Sequence, residues 1–125
     1  PVVEAPVAPA TYADAQAAID AMDYPAAARI LAVLAGTDPT NPDVWNLFGY
    51  ASRNMKLAGP ALEAYETALK LDPEHLGALE YQGELFLQTG AVEKAKANLE
   101  ILRSLCGDCE EFGDLQAALT AAGQS

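Results

Sequence analysis

The chain has 125 residues and a formal net charge of −11, with only 7 Lys and Arg. That balance excludes the basic patches that nucleic acids and anionic membrane surfaces require, and no run approaches the ~20 apolar residues of a membrane span. Hydrophobic residues make up 51% but aromatic ones only 7%. Much of the apolar content is alanine, which favours closely packed helices over a sheet.

Residues 1–9 (PVVEAPVAP) are unpatterned and read as an extended segment, like a linker left after a targeting segment or tag. A first unit follows over about 8–41. Tyr12, Ala15, Ala18, Ile19 and Met22 share one helical face, and Asp23-Tyr24-Pro25 breaks that helix. Ala27, Ile30, Leu31, Val33 and Leu34 carry a second helix, ended by the terminators GTDPTNP. The second unit, about 42–75, sets Val44, Trp45, Leu47, Phe48 and Ala51 on its first helix. It turns at 55–59, and Leu62, Tyr65, Ala68, Leu69 and Leu71 lie on its second helix. The third unit, about 76–109, has Leu79, Leu85, Phe86 and Leu87, then Thr89-Gly90, where glycine suits a left-handed cap. Ala95, Leu99, Leu102 and Leu105 follow, up to the stop at Cys106–Cys109. A last helix over about 110–122 turns Phe112, Leu115, Ala118 and Leu119 back to cover the open end.

These units echo one another every 34 residues. Pro39, Pro73 and Gly107 form one ladder, Ala27, Ala61 and Ala95 a second, and Ala15, Gly49 and Gly83 a third. A fixed period of this length means stacked helix-turn-helix units, none of which buries its apolar face alone.

Trp45, Phe48, Gly49, Ala61, Tyr65, Ala68 and Pro73 follow the order aromatic, large apolar, small, small, aromatic, small, proline. That order resembles the tetratricopeptide repeat. The resemblance spans about 8–122 and implies an all-α, right-handed α-solenoid of three helix-turn-helix units plus a C-terminal capping helix. Small residues at Gly49 and Ala61 would let the helices of a unit cross closely, with Trp45 and Tyr65 filling the wider gaps. Unit one departs from the pattern at Thr11 and Asp14, so that end is expected to fray or to pack on something else. The stretches NLFGYASRN, LDPEHLGALEYQGELF and LCGDCEE also resemble small exported tetratricopeptide proteins of alphaproteobacteria. Other three-repeat members are cytosolic secretion chaperones.

In this family the first helix of each unit lines a concave groove. Carried onto this sequence, the resemblance implies a groove of Tyr12, Gln16 and Ile19, then Asp43, Asn46, Tyr50, Arg53 and Asn54, then Glu80, Glu84, Leu87 and Gln88. Solvated helix faces would look similar, but Tyr and Arg recur as binding hot spots. The family's carboxylate clamp for acidic tails needs converging Lys/Arg and Asn. Here Arg53 stands nearly alone, and Gln16 and Glu84 fall where those residues belong. The expected occupant is therefore a peptide or protein segment of basic or mixed charge, anchored by Glu80, Glu84 and Asp43.

Cys106-Gly107-Asp108-Cys109 admits three readings: a disulfide stapling the last repeat helix to the capping helix, a redox pair, or half of a soft-metal site. A redox CxxC normally sits in a βαβ context, and Asp108, Glu110 and Glu111 would raise a thiol pKa. A metal would need further ligands such as His75, which reads as a surface residue at a helix start. No phosphate loop, nucleophile elbow or base–orienter pair is present, and Glu63, Glu66, Glu110 and Glu111 read as exposed helix charges. The sequence thus predicts a non-enzymatic adaptor without cofactor or metal, binding a protein partner in a periplasmic or exported setting. A metal- or redox-linked accessory factor and a cytosolic secretion-type chaperone are the alternatives. Weak self-association is expected through the atypical first unit, opposed by the charge.

Overall fold

In the computed structural model, residues 9–124 are described, so the segment expected over 1–9 lies, Pro9 apart, outside them. The described residues form seven helices: α1 (Tyr12–Asp20), α2 (Tyr24–Thr37), α3 (Pro42–Asn54), α4 (Ala58–Leu71), α5 (Leu76–Gln88), α6 (Val92–Cys106) and α7 (Glu110–Ala121).

The starts of these helices are written in their caps. Asn41 accepts the Asp43 N–H at 3.0 Å, and Pro42 supplies a first-turn residue that needs no acceptor. Asp23 caps α2 in the same way, through the Ala26 N–H at 3.2 Å. The two residues that break the repeat in unit one have a local purpose. Thr11 accepts the Asp14 N–H, while the Asp14 carboxylate accepts the Thr11 N–H at 2.8 Å, a reciprocal capping box. Instead of fraying, α1 starts late: it has 9 residues against 13 in α3 and α5, about one turn less.

The turns inside the units repeat as closely as the packing residues. Met22, Lys56 and Gly90, 34 apart, all take positive φ (59°, 65° and 84°). The next residue's N–H reaches back to Ala18, Ser52 and Phe86 respectively, at 2.8, 2.9 and 2.7 Å. This is the left-handed C-terminal cap, and only Gly90 adopts it without a Cβ penalty. α7 ends on the same motif, with Gly123 at φ 79° and Gln124 N–H on Leu119 at 2.9 Å.

Each helix packs on its successor. The odd-numbered helices also pack on one another, whereas among the described residues α2, α4 and α6 do not approach each other. A stack whose odd helices touch and whose even helices splay must curve, with α1, α3, α5 and α7 forming the inner wall. The core runs along the stack from Ala15, Leu31 and Val44, through Ala61, Tyr65 and Leu85, to Leu79, Leu102, Phe112 and Leu115.

The small-residue ladder does what its spacing implies, with one difference. A Cβ on Gly49 would lie 2.6 Å from the fully buried Tyr65 ring, so Gly49 is the seat of the second helix of its own unit. A Cβ on Gly83 would instead meet Leu115 at 2.6 Å, a residue of α7. Trp45 does not fill a core gap: it is half-buried and its indole N–H donates to the Pro39 carbonyl at 2.8 Å, clasping the loop between units. Val33, Leu71 and Leu105 are likewise exposed on the second helices, Val33 by 64%, although their spacing placed them on the apolar face. Ala118 is only half-buried and turns toward the inner wall.

Candidate functional site

The inner wall has two ends of different chemistry. At the α1 end, Gln16, Ile19 and Asp20 face Leu47 and Tyr81 across a cleft of about 350 Å³. Tyr50 stands between Tyr24 and Tyr81, with ring centroids 6.3 and 4.7 Å away, and Tyr81 in turn lies 6.4 Å from buried Tyr65. Four of the five tyrosines thus form one aromatic run across α2, α3, α5 and α4. Burial, followed by the neighbouring Glu80 carboxyl, pushes the Tyr81 phenol up to about 12. Half-buried Tyr12 is raised by burial and then by Asp43.

At the α7 end, Arg53 crosses from α3 to α5. Its Nη1 donates to Glu84 Oε1 and its Nε to Gln88 Oε1, both at 3.1 Å, while the guanidinium lies 5.9 Å from the Tyr50 ring. A shallow cleft of about 600 Å³ opens here, between Arg53, Glu84, Leu87 and Gln88 on one side and Ala118 and Ala121 on the other.

Several residues assigned to the groove from sequence are engaged differently than expected. Asp43 is not a free anchor: its carboxylate meets His75 Nε2 at 2.7 Å. His75 is not a surface residue either, its side chain being 13% exposed. Its Nδ1 accepts the Ala78 N–H at 3.0 Å, which caps α5 and leaves Nε2 to carry the proton toward Asp43. Asn46 is 9% exposed, and its Oδ1 is buried with no partner among the described residues. Asn54 folds back on the Tyr50 carbonyl at 2.9 Å. Gln16 and Gln88 are exposed, and Tyr50, Ile19 and Leu87 half-buried.

The carboxylates differ most from expectation. Glu80 is 8% exposed. Burial, then a shared hydrogen bond and charge repulsion with Glu84, then Asp114 and Glu111, push its carboxyl up to about 9. It is therefore protonated at neutral pH and is no ready-made anion. Glu84 is spent on Arg53. Glu111 is not an exposed helix charge but a half-buried one beside this group. The sequence carried a signal for these α7 residues: Asp114 and Ala118 lie 34 after Glu80 and Glu84. Tyr24, Leu47 and Tyr81 carried none, because their place in the cleft depends on distances between helices. Cys106 and Cys109 lie at disulfide-bonding distance, Cα atoms 5.5 Å apart, tying the end of α6 to the start of α7.

No protein-family model matches the chain. No curated protein matches it either. Solved structures do match its shape. The Yersinia enterocolitica type III secretion translocator chaperone SycD superposes with a TM-score of 0.79 at 18% identity, over 90% of this chain and 80% of that one. The first TPR of Spaghetti (RPAP3), bound to the HSP90 peptide SRMEEVD, gives 0.78 at 19% identity, over 89% of each chain. PcrH in complex with the chaperone-binding region of PopD gives 0.78 at 20%, over 90% of this chain and 87% of that one. What these likenesses establish is the architecture: the chain folds as a tetratricopeptide-like helical solenoid.

Proposed function

We propose that the protein is a non-enzymatic interaction module that holds an extended or helical segment of a partner protein along α1, α3, α5 and α7. The observation that carries this reading is the two-ended inner wall. An aromatic cleft at Tyr50 and Tyr81 gives side chains a place to bury, and a cleft bordered by the Arg53–Glu84 ion pair gives charge discrimination. Solved structures of the same fold hold peptides in RPAP3 and PcrH, which supports the use of this architecture. An acidic peptide such as SRMEEVD fits this wall poorly, because Arg53 is already bonded to Glu84 and Gln88. A basic or mixed-charge segment fits better.

The likeness to SycD and PcrH favours a second reading, a secretion-type chaperone. Cysteines held at bonding distance favour an exported, oxidising setting instead; joined there, they would leave no thiolate for a metal or redox role. A free-thiol assay on protein recovered without reductant separates the two: blocked thiols support export, and two free thiols support the cytosolic chaperone.

Selection from a random peptide library at low salt tests the groove. Bound peptides should be richer in Lys and Arg than in Asp and Glu, should weaken with salt, and should lose binding to the Tyr50→Ala and Glu84→Lys variants. Enriched acidic peptides, or binding indifferent to both substitutions, would overturn the reading.

A further inference from the structure

A groove of about 500 Å³ lies between α6 and α7 and shares no lining residue with the clefts of the inner wall. Its floor is Leu99 and Leu119, both buried. Lys96 and Arg103 stand on its α6 rim, and Gln116 and Thr120 on its α7 rim.

The 34-residue period says what such a place receives. Gln116, Leu119 and Thr120 stand 34 after Gln82, Leu85 and Phe86, and on α5 that face is covered by α6. Asn98 of α6 donates to buried Gln82 at 2.9 Å, and the Lys94 ammonium lies 5.7 Å from the Phe86 ring. In the three full units a left-handed turn at Met22, Lys56 or Gly90 leads from the first helix into a second helix packed on it. α7 ends on the same kind of turn at Gly123, yet among the described residues it packs on α5 and α6 alone. The place that α6 takes on α5 is therefore open on α7, and its natural occupant is a helix.

The rim departs from the repeat and sets the chemistry of that helix. Where α4 has Leu62 and Leu69, α6 has Lys96 and Arg103. Lys94, Lys96 and Arg103 put three of the chain's 7 Lys and Arg on α6, in a molecule of net charge −11. Lys96 and Arg103 meet Glu93 and Glu100 one turn away, at 3.7 and 3.4 Å, in exposed pairs that cost little to exchange. The Arg103 guanidinium lies 4.8 Å from the Phe112 ring, which holds it at the groove's edge. A second copy of this chain is the poorer occupant, because two molecules at −11 repel.

We propose that the α6–α7 groove docks an amphipathic helix of a partner protein, in the register of the second helix of a fourth unit. That helix sets an Asn and Leu seam against Gln116, Leu99 and Leu119, as α6 does on α5, and turns an acidic flank to Lys96 and Arg103. The surface is independent of the inner wall, and neither reading rests on the other.

The probe is a synthetic lactam-bridged helix with the sequence of residues 92–106, carrying Lys94→Glu, Lys96→Glu, Arg103→Glu and Cys106→Ala. Its control carries Cys106→Ala alone. Each is titrated into the isotope-labelled full chain at low salt and followed by amide chemical shifts. The acidic peptide should give saturable shifts centred on Leu99, Gln116 and Thr120, with affinity about tenfold above that of the control. Lys96→Glu with Arg103→Glu in the protein should reverse that preference, and Tyr50→Ala on the inner wall should leave it unchanged. Absence of saturable binding, shifts centred on the inner wall, or an unreversed preference in the double variant would each overturn the proposal. So would peptide-free protein that sediments as a dimer and shifts the same groove residues on dilution, since a second copy would then be the occupant.

Discussion

The second and third units obey the same ladder and use it differently. Gly49 receives Tyr65 from the second helix of its own unit, whereas Gly83 receives Leu115 from α7. On the inner wall, Asn46, Tyr50 and Arg53 of unit two stand 34 before Glu80, Glu84 and Leu87 of unit three. One unit therefore supplies the aromatic ring and the cation, and the next supplies the acids. The buried ladder is constrained by shape and repeats. The wall carries fewer packing demands, and so it is free to change from unit to unit.

The largest test of this contrast is Tyr65, whose ring is the packing centre of unit two. Tyr65→Ala should cost about 3–5 kcal/mol in chemical denaturation, as for a buried aromatic. Tyr65→Phe should be neutral or stabilising, because among the described residues the buried hydroxyl has no hydrogen-bond partner of good geometry, Arg53 lying nearby but bonded to Glu84 and Gln88. A large loss in Tyr65→Phe would show that the hydroxyl is bonded after all.

Next come the paired glycines. Gly49→Ala drives a methyl into a stiff ring and should cost about 1–3 kcal/mol. Gly83→Ala meets the end of a leucine side chain that can rotate, and alanine's helix propensity offsets part of the strain. Its cost should be clearly smaller. Equal losses would mean that α7 is held as rigidly as α4.

The wall positions Asn46 and Glu80 differ in their response to pH. The folded Glu80 carboxyl is raised from 4.5 to about 9, so between those values the folded chain keeps a proton that the unfolded chain has lost. Its contribution is fully present below pH 4.5 and is lost as pH rises toward 9. Glu80→Gln should remove this decline and raise Tm by at least about 4 °C at pH 8. Parallel Tm profiles for wild type and variant across that window would refute it.

The smallest effect lies in the turns. Lys56→Gly should stabilise unit two by about 0.5–1 kcal/mol, since Lys56 occupies a left-handed conformation. Gly90→Ala at the matching turn should destabilise by a similar amount.

Much of this fold was legible in the chain, and the reason is local. The alanine and glycine ladders, the proline-marked boundaries and Gly90 act within a helix or a turn, so their spacing carries their meaning. Thr11 and Asp14 were legible as departures from the repeat, but their purpose was not, because a capping box is read from its own three-residue spacing. Legibility failed where two side chains meet across helices. Asp43 with His75, Arg53 with Glu84 and the Tyr24–Tyr50–Tyr81 run each depend on how far one helix slides past another.

The sequence by itself determined the helix count, the turn positions and the small-residue contacts of the core, since these follow from periodicity and from the intrinsic preferences of Ala, Gly and Pro, whereas the edges of the apolar faces at Val33, Leu71 and Leu105 did not. Only the tertiary structure decided the charge state and company of the wall. Whether Glu80 is an anion or a protonated acid depends on burial and on carboxylates brought from α7, and neither is a property of its neighbours along the chain.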